Sequence, residues 1–154
     1  KTPSFAQKIK PAFEKEGLEE KADLKFYFEP IHFHGIFKDT DISLITKNGD
    51  INAIQTIDFN LTEQTIVTNV FETQSIHAAL QHFAKATRTK VKPIKIVFEE
   101  PSLDSSNHAL FDITHKNLKD SFDFITPDTL EKETEKISNS KNIKFTDYLA
   151  EIKY

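Results

Sequence analysis

The first residues that could carry chemistry are two histidines in a segment dense in aromatic and β-branched side chains. His32 and His34 lie two residues apart, and residues 24–37 alternate in the manner of a strand. On a strand both imidazoles leave the same face, with their backbones about 6.6 Å apart. With His77 from a predicted helix they form a candidate divalent-metal site, and His82 or His108 is an alternative third ligand. The alternative is that these imidazoles line a half-buried sheet face, because no complete metal-ligand spacing accompanies them.

A second candidate site is a run of cations on an otherwise acidic chain. The sequence has 20 Lys and Arg against 24 Asp and Glu, for a formal net charge of −4. Five cations fall within eleven residues without an intervening acid: Lys85, Arg88, Lys90, Lys92 and Lys95. Such a cluster could bind a phosphate-bearing ligand, an anionic lipid surface or an acidic partner. The alternative is a solvated face, because cations are favoured at a helix C-terminus and on the exposed side of a strand.

Composition argues against several functional classes. Arg88 is the one arginine of an acidic chain, which is not typical of a nucleic-acid-binding domain. The glycines are isolated, so the sequence has no glycine-rich phosphate loop or dinucleotide fingerprint. The cysteine count is 0, which excludes thiol catalysis and Cys-ligated zinc. No stretch approaches the roughly 20 apolar residues of a membrane span, and we predict neither a cofactor nor nucleic-acid binding.

Acidic residues near a histidine are the remaining candidates for catalysis. Glu99 and Glu100 could act as a general acid and base, and His108 lies near them in the sequence. The serines between them lie in a polar loop that lacks the glycine pattern of a nucleophile elbow. We therefore predict no catalytic residues and favour a domain that is not an enzyme.

The elements that must position these residues begin with an N-terminal helix. Ser4 and Gln7 have the form of a capping box, and an apolar stripe with helical spacing follows. The stripe predicts a helix that ends near Gly17. Pro11 removes one helical hydrogen bond, which predicts a kink or two short helices.

Strands are predicted to follow this helix. A hairpin turn is expected at residues 48–50, because Asn-Gly is the strongest short hairpin signal. A bulge at Glu29 and Pro30 would reconcile the two alternation registers of the first strand. Together they predict an antiparallel meander of strands over residues 24–37, 41–47, 51–60 and 65–72.

Helices and strands alternate in the second half of the chain. Thr73 or Ser75 is the predicted cap of one helix, and Thr126 followed by Pro127 begins another. Residues 108–126 fit both a hairpin and helical spacing. The remaining predicted elements are helices over residues 75–88 and 127–138, a strand over residues 91–99, and a short strand or last helical turn over residues 143–154.

The element order predicts an α+β fold. We expect a curved antiparallel sheet of about 5–7 strands, with two or three helices packed mainly on one face. Residues 1–154 are expected to form a single domain. The sequence begins at Lys1 and contains 0 Met, so we expect the domain to be a piece of a longer chain, either cytoplasmic or exported with its signal removed.

Three functional hypotheses are compatible with these observations. The first is a non-enzymatic binding or protein-interaction domain of a larger bacterial or viral protein. The chain is rich in residues whose codons are A/T-rich, which indicates a low-GC genome. The alternative is a small ligand-binding or hydrolytic domain that acts on an anionic, phosphorylated or nucleotide molecule. A third possibility is self-association through the exposed strand that bears Pro30. The expected partner is therefore a protein or a small anion.

Overall fold

The computed structural model describes residues 2–152, and within that range six helices surround a sheet of six strands. The α+β class is confirmed, and the sheet is not closed into a barrel. The helices are α1 (Phe5–Phe13), α2 (Leu18–Lys21), α3 (Glu63–Thr87), α4 (His108–Leu118), α5 (Pro127–Ser138) and α6 (Phe145–Ile152). The strands are β1 (Asp23–Phe28), β2 (Thr40–Asn48), β3 (Asp50–Thr56), β4 (Lys95–Val97), β5 (Asp123–Ile125) and β6 (Ile143–Lys144).

The sheet is mixed rather than antiparallel, which corrects part of the expected fold. Its order is β1-β2-β3-β4-β5, with β6 paired to β2. The first three strands form the expected antiparallel meander, and the predicted hairpin pairs Asn48 with Asp50 around Gly49 at φ 72°. However, β4 pairs in parallel with β3, and β5 pairs in parallel with β4. Parallel neighbours cannot be joined by a tight turn, so a long connection must lead from β3 to β4.

That connection is α3, and it overturns the prediction of a strand over residues 65–72. The helix has 25 residues and begins after Thr62, whose side chain accepts from the backbone N–H of Thr65 at 3.3 Å. The cap is therefore neither Thr73 nor Ser75. Thr65 and its neighbours are locally β-branched, which favoured a strand. Burial of Ile66 on the same helix face as the later apolar residues outweighs that preference.

Helices cover both faces of the sheet, so the expectation of helices mainly on one face was wrong. Adjacent residues of a strand point to opposite faces. Leu44 and Val97 belong to an apolar cluster with residues of α1, α2 and α5, whereas Ile45 and Ile96 belong to a second cluster with residues of α3, α4 and α6. We call these sides the α5 face and the α3 face. The result is three layers, with the sheet in the middle.

The first strand changes face at Lys25, not at the predicted bulge. Leu24 packs on the α5 face, whereas Phe26 and Phe28 pack on the α3 face. Between them Lys25 has φ 58°, a left-handed conformation that shifts the alternation by one residue. The second register predicted after Pro30 does not belong to a strand, because β1 ends at Phe28, before the predicted bulge at Glu29 and Pro30. The prediction that the strand continues to residue 37 was therefore wrong.

The N-terminal prediction is confirmed in its cap, whereas α1 ends at Phe13 rather than near Gly17 and is not divided at Pro11. The side chain of Ser4 accepts from Gln7 N at 3.2 Å, and Ser4 N donates to the side chain of Gln7 at 2.8 Å. Pro11 lies in the last turns of α1, and the chain resumes as α2 after Gly17 at φ 83°. Both helices contribute to the apolar cluster of the α5 face.

The C-terminal elements follow the predictions in part. Residues 108–126 contain α4 followed by β5. The first strand of the predicted hairpin, over residues 110–115, is therefore a helix, whereas its second strand, over residues 121–125, is found as β5. The strand predicted over residues 91–99 is shortened to β4. The helix α5 starts at the predicted cap; Leu130 and Thr134 are its buried residues, and Leu130 belongs to the apolar cluster of the α5 face. Both alternatives for the end of the chain occur, as β6 and then α6; residues 153 and 154 lie outside the described part.

Aromatic packing dominates the α3 face. Phe145, at the start of α6, has an exposed fraction of 0% and contacts three other phenylalanines. Its ring centroid lies 5.3 Å from that of Phe26, 5.6 Å from that of Phe83 and 6.5 Å from that of Phe33. These rings join β1, α3, α6 and the loop after β1. Phe145 is therefore a single residue on which four segments pack.

None of the helices within residues 2–152 combines the length and the apolar character that crossing a membrane requires.

Phe145→Ala should lower the free energy of unfolding by about 3 to 5 kcal/mol, because it leaves a cavity among packed rings. Phe37→Ala is the matched control, since that ring is 94% exposed. It should change the free energy of unfolding by less than about 0.5 kcal/mol. Urea denaturation followed by circular dichroism measures both variants. Equal losses in the two variants would contradict the core described above.

Candidate functional site

The three histidines of the predicted metal site lie in different surroundings. His32 and His34 are in the loop after β1, so their placement on one strand face was wrong. The ring of His34 stacks on that of His82 with centroids 4.4 Å apart, and the ring of His77 packs on Phe122 at 4.9 Å. His32 instead lines an apolar groove beside α6. In residues 2–152 no group of three or more His, Cys, Asp or Glu side chains could hold a metal ion.

The loop leaves the strand because its backbone turns back on itself. The N–H groups of His32 and Phe33 both donate to the carbonyl of Glu29, at 3.0 and 3.1 Å. This turn ends the alternation on which the prediction depended. The side chain of Phe33 is buried, whereas those of His32 and His34 are exposed.

His77 has an unusual environment of a different kind. Its Nδ1 atom is buried and has no hydrogen-bond partner among residues 2–152. Burial lowers the pKa of His77 below its ordinary value of 6.5, because the charged imidazolium would be poorly solvated there. The side chain packs on Phe122, and its contribution is to the helix packing of the α3 face.

The structure divides the predicted cation cluster into two groups. Lys85 and Arg88 lie at the C-terminal end of α3, where Arg88 caps the helix at φ 55°, and Lys90 follows in the loop; all three are exposed. Lys92 and Lys95 instead line a cleft on the α5 face. The first group fits the interpretation of a solvated helix end, whereas the second belongs to a concave site.

A third lysine, which the sequence analysis missed, joins this second group. Lys136 lies in the last turn of α5 and lines the same cleft as Lys92 and Lys95. We call this site the lysine cleft. Its lining residues are Asn48, Asn52, Ile54, Lys92, Lys95, Glu133, Lys136, Ile137, Ser140 and Asn142.

Strand alternation explains why Lys95 reaches the cleft, and a backbone hydrogen bond to β3 positions Lys92. Ile94 and Ile96 are fully buried on the α3 face, so Lys95 between them points to the α5 face. The backbone of Lys92 is fixed against β3, since its N–H donates to the carbonyl of Ile51 at 2.9 Å. On the opposite wall, Glu133 of α5 places a carboxylate oxygen 3.4 Å from Lys95 Nζ.

A buried polar network supports the other wall of the cleft. Asn142 is 7% exposed, and its Nδ2 donates to Thr46 Oγ1 at 3.2 Å. Asn48 Nδ2 donates in turn to Asn142 Oδ1 at 3.3 Å, and Thr46 Oγ1 donates to the carbonyl of Lys21 at 2.6 Å. These bonds tie the β2–β3 hairpin to α2 and β6. The asparagine side chains are thus held in place by satisfied hydrogen bonds.

The size of the lysine cleft limits what it can hold. Its volume is about 110 Å³. A water molecule takes about 30 Å³ of liquid, so the cleft has room for roughly three to four waters. A tetrahedral oxyanion or a phosphate head group is of this size. A larger molecule would project into solvent.

The electrostatic balance of the cleft is positive. Three lysines face one carboxylate, that of Glu133. The C-terminal end of α5 adds the equivalent of about half a negative charge, which leaves roughly +1.5. Some carbonyls at that end already accept hydrogen bonds from Asn139 N and from the Ser140 hydroxyl. An anion would therefore be attracted to the cleft despite the helix end.

The two glutamates considered as a general acid and base contact different parts of the molecule. Glu99 forms an ion pair with Lys8 of α1. Glu100 instead lies 3.2 Å from His108 Nε2, and the other ring nitrogen of His108 lies 3.3 Å from Asp112. The two carboxylates therefore have different partners.

A second polar concavity lies between the sheet and α3. Its lining residues are Asp41, Ser43, Gln55, Thr56, Asn69 and Glu72. Lys38 Nζ lies 2.8 Å from a carboxylate oxygen of Glu72, and this hydrogen bond raises the pKa of Lys38. Ser43 Oγ also donates to Gln55 Oε1 at 3.2 Å. Its lining has two carboxylates and no cation, so it lacks the positive charge of the lysine cleft.

Comparison with known proteins gives no relative from which a function could be transferred: no family model, no curated protein and no solved structure matches this chain.

His77→Phe should reduce the dependence of stability on pH. Because the folded pKa of His77 lies below 6.5, the unfolded chain binds more protons between the two values. The free energy of unfolding therefore falls as the pH drops below 6.5, and this loss is absent in the variant. Removal of the unpartnered buried nitrogen should also stabilise the protein at pH 7 by about 1 kcal/mol. Urea denaturation of both proteins at pH 5 and pH 7 tests this prediction. If the free energy of unfolding changes between the two pH values by the same amount in His77→Phe as in the wild type, the prediction is wrong.

Proposed function

We propose that this chain is a non-enzymatic binding domain whose ligand is a small anion, typically a phosphate group, held in the lysine cleft. The observation that carries the proposal is the convergence of Lys92, Lys95 and Lys136 on a cleft the size of one phosphate. These lysines come from two parts of the chain that meet only in the folded protein. A solvated face would not require such a convergence.

The chemistry of the lining favours binding over turnover. Ser140 supplies the one hydroxyl among the lining residues, and its Oγ donates to the carbonyl of Lys136. The lining contains no histidine, and its carboxylate, that of Glu133, is paired with Lys95. A nucleophile and a base in contact are the usual requirement for hydrolysis. This lining therefore supports the binding hypothesis rather than the hydrolytic one.

A protein-interaction surface is the second candidate function. Phe37 and Ile31 are 94% and 84% exposed, and both lie in the loop after β1. The loop is anchored by the buried side chains of Phe33 and Ile36 and by the ion pair of Lys38 with Glu72. Large apolar side chains on an anchored loop are typical of contact residues.

Self-association is the form of this second candidate function that can be tested with the purified protein alone. The strand β1 lies at the edge of the sheet, but Pro30 lies outside it, so the loop rather than a strand would carry the contact. If the loop binds a second copy, sedimentation velocity should detect an association that depends on concentration. Phe37→Ser should abolish it. A monomer at all concentrations would reject self-association.

Inorganic phosphate should bind to the protein, and Lys95→Gln should weaken that binding by about tenfold or more, because charge-assisted hydrogen bonds contribute about 1.5 kcal/mol or more. Lys85→Gln is the matched control, since it removes the same charge outside the cleft. It should leave the dissociation constant nearly unchanged. Isothermal titration calorimetry at two salt concentrations makes the measurement, and binding should weaken as salt rises.

Two results would contradict the proposed function. One is the absence of phosphate binding to the wild-type protein at low ionic strength. The other is an equal loss of affinity in Lys85→Gln and Lys95→Gln, which would indicate general attraction to surface charge instead of a site.

A further inference from the structure

Of the three lysines that line the lysine cleft, Lys95 is the one paired with a carboxylate among the residues that the structure describes. Lys95 Nζ lies 3.4 Å from Glu133 Oε1, and both side chains are largely shielded, with 20% and 27% exposure. Neither Lys92 nor Lys136 has a carboxylate within 4.0 Å among the residues that the structure describes. The single negative charge of Glu133 therefore leaves part of the positive charge of the three lysines uncompensated.

A second glutamate of the same helix has a comparable ion pair outside the cleft. Glu131 Oε1 lies 3.6 Å from Lys15 Nζ, and neither residue lines the lysine cleft. Both pairs join a lysine to a glutamate of α5, and their distances between nitrogen and oxygen are similar. They differ in whether the lysine belongs to the proposed anion site.

We infer that Glu133 occupies the anion position of the unliganded cleft and that the ligand must displace it, so that the cleft selects a dianion, such as a phosphomonoester, over a monocarboxylate. This inference rests on the proposed function. It assigns Glu133 the role of an internal competitor that sets both affinity and selectivity. Glu133 is thus a specificity-determining residue and not a ligand contact.

The competition follows from tethering. A group attached to the site by a short flexible link is present at a local concentration on the order of millimolar or more. A free monocarboxylate carries the same charge as Glu133 and gains nothing by replacing it. A dianion carries twice the charge of the Glu133 carboxylate. The attraction between the dianion and the three lysines therefore exceeds the attraction that is lost when Glu133 is displaced. The partly exposed side chain of Glu133 can then turn towards water.

The residue types of the cleft agree with this choice of ligand. Lysine is a compact point charge whose three donors can be arranged freely, whereas arginine matches planar carboxylates through two parallel hydrogen bonds. Three lysines from different directions suit a tetrahedral anion. The fixed amides of Asn48 and Asn142 add neutral donors or acceptors at the wall.

Calorimetric titration of four proteins tests the inference: wild type, Glu133→Gln, Glu131→Gln and Lys95→Gln. Each is titrated separately with inorganic phosphate, glycerol 3-phosphate, sulfate and acetate. Glu133→Gln should tighten phosphate binding by about fivefold, since the loss of one nearby charge is worth about that factor in water. It should also make acetate binding measurable. Glu131→Gln makes the same change of charge and should alter neither the phosphate affinity nor the acetate affinity. Thermal unfolding checks that all four proteins are folded.

The outcomes separate the inference from the proposed function. If wild type binds phosphate but Glu133→Gln binds it no more tightly than Glu131→Gln does, the inference is wrong and the anion site stands. If acetate binds to wild type as tightly as phosphate, the selectivity is wrong. If neither wild type nor Glu133→Gln binds any of the anions, the proposed function and the inference both fail. Sulfate binding as tight as phosphate binding supports selection by charge.

Discussion

The parallel pairing of β4 with β3 is the constraint on which the rest of the structure depends. It requires a long crossover, which α3 provides, and that helix covers one face of the sheet. The other face is also apolar, because neighbouring residues such as Ile96 and Val97 point to opposite sides. α1, α2 and α5 therefore cover it. The lysine cleft lies where α5 meets the residues at the start of β4, so its existence follows from the same crossover.

Signals contained in a few neighbouring residues were sufficient to predict part of this fold. The capping box at Ser4, the hairpin at Gly49 and the start of α5 at Thr126 each depend on contacts within one turn. The parallel half of the sheet has no such local signal. Residues 65–72 are rich in β-branched side chains, and what makes them helical is burial against the sheet along a helix of 25 residues. Tertiary packing decides such cases.

The candidate site could be predicted only in part for the same reason. Lys92 and Lys95 were recognisable as members of a charge run, and alternation with buried isoleucines explains why Lys95 faces the cleft. Lys136 and Asn142 gave no local signal, since they become neighbours of that run only when α5 packs on the sheet. The histidine site failed because it assumed an unbroken strand. The strand ends at Phe28, and the turn at Glu29 follows it before either histidine is reached.

The central claim is that an anion binds where these lysines converge and not along the charge run as a whole. Nuclear magnetic resonance of lysine side-chain Nζ and asparagine amide groups during a phosphate titration tests this residue by residue. The largest chemical-shift changes should occur at Lys92, Lys95, Lys136 and Asn142, with saturation at a common phosphate concentration. Changes centred on Lys85 and Arg88, or small changes spread over all lysines without saturation, would contradict it.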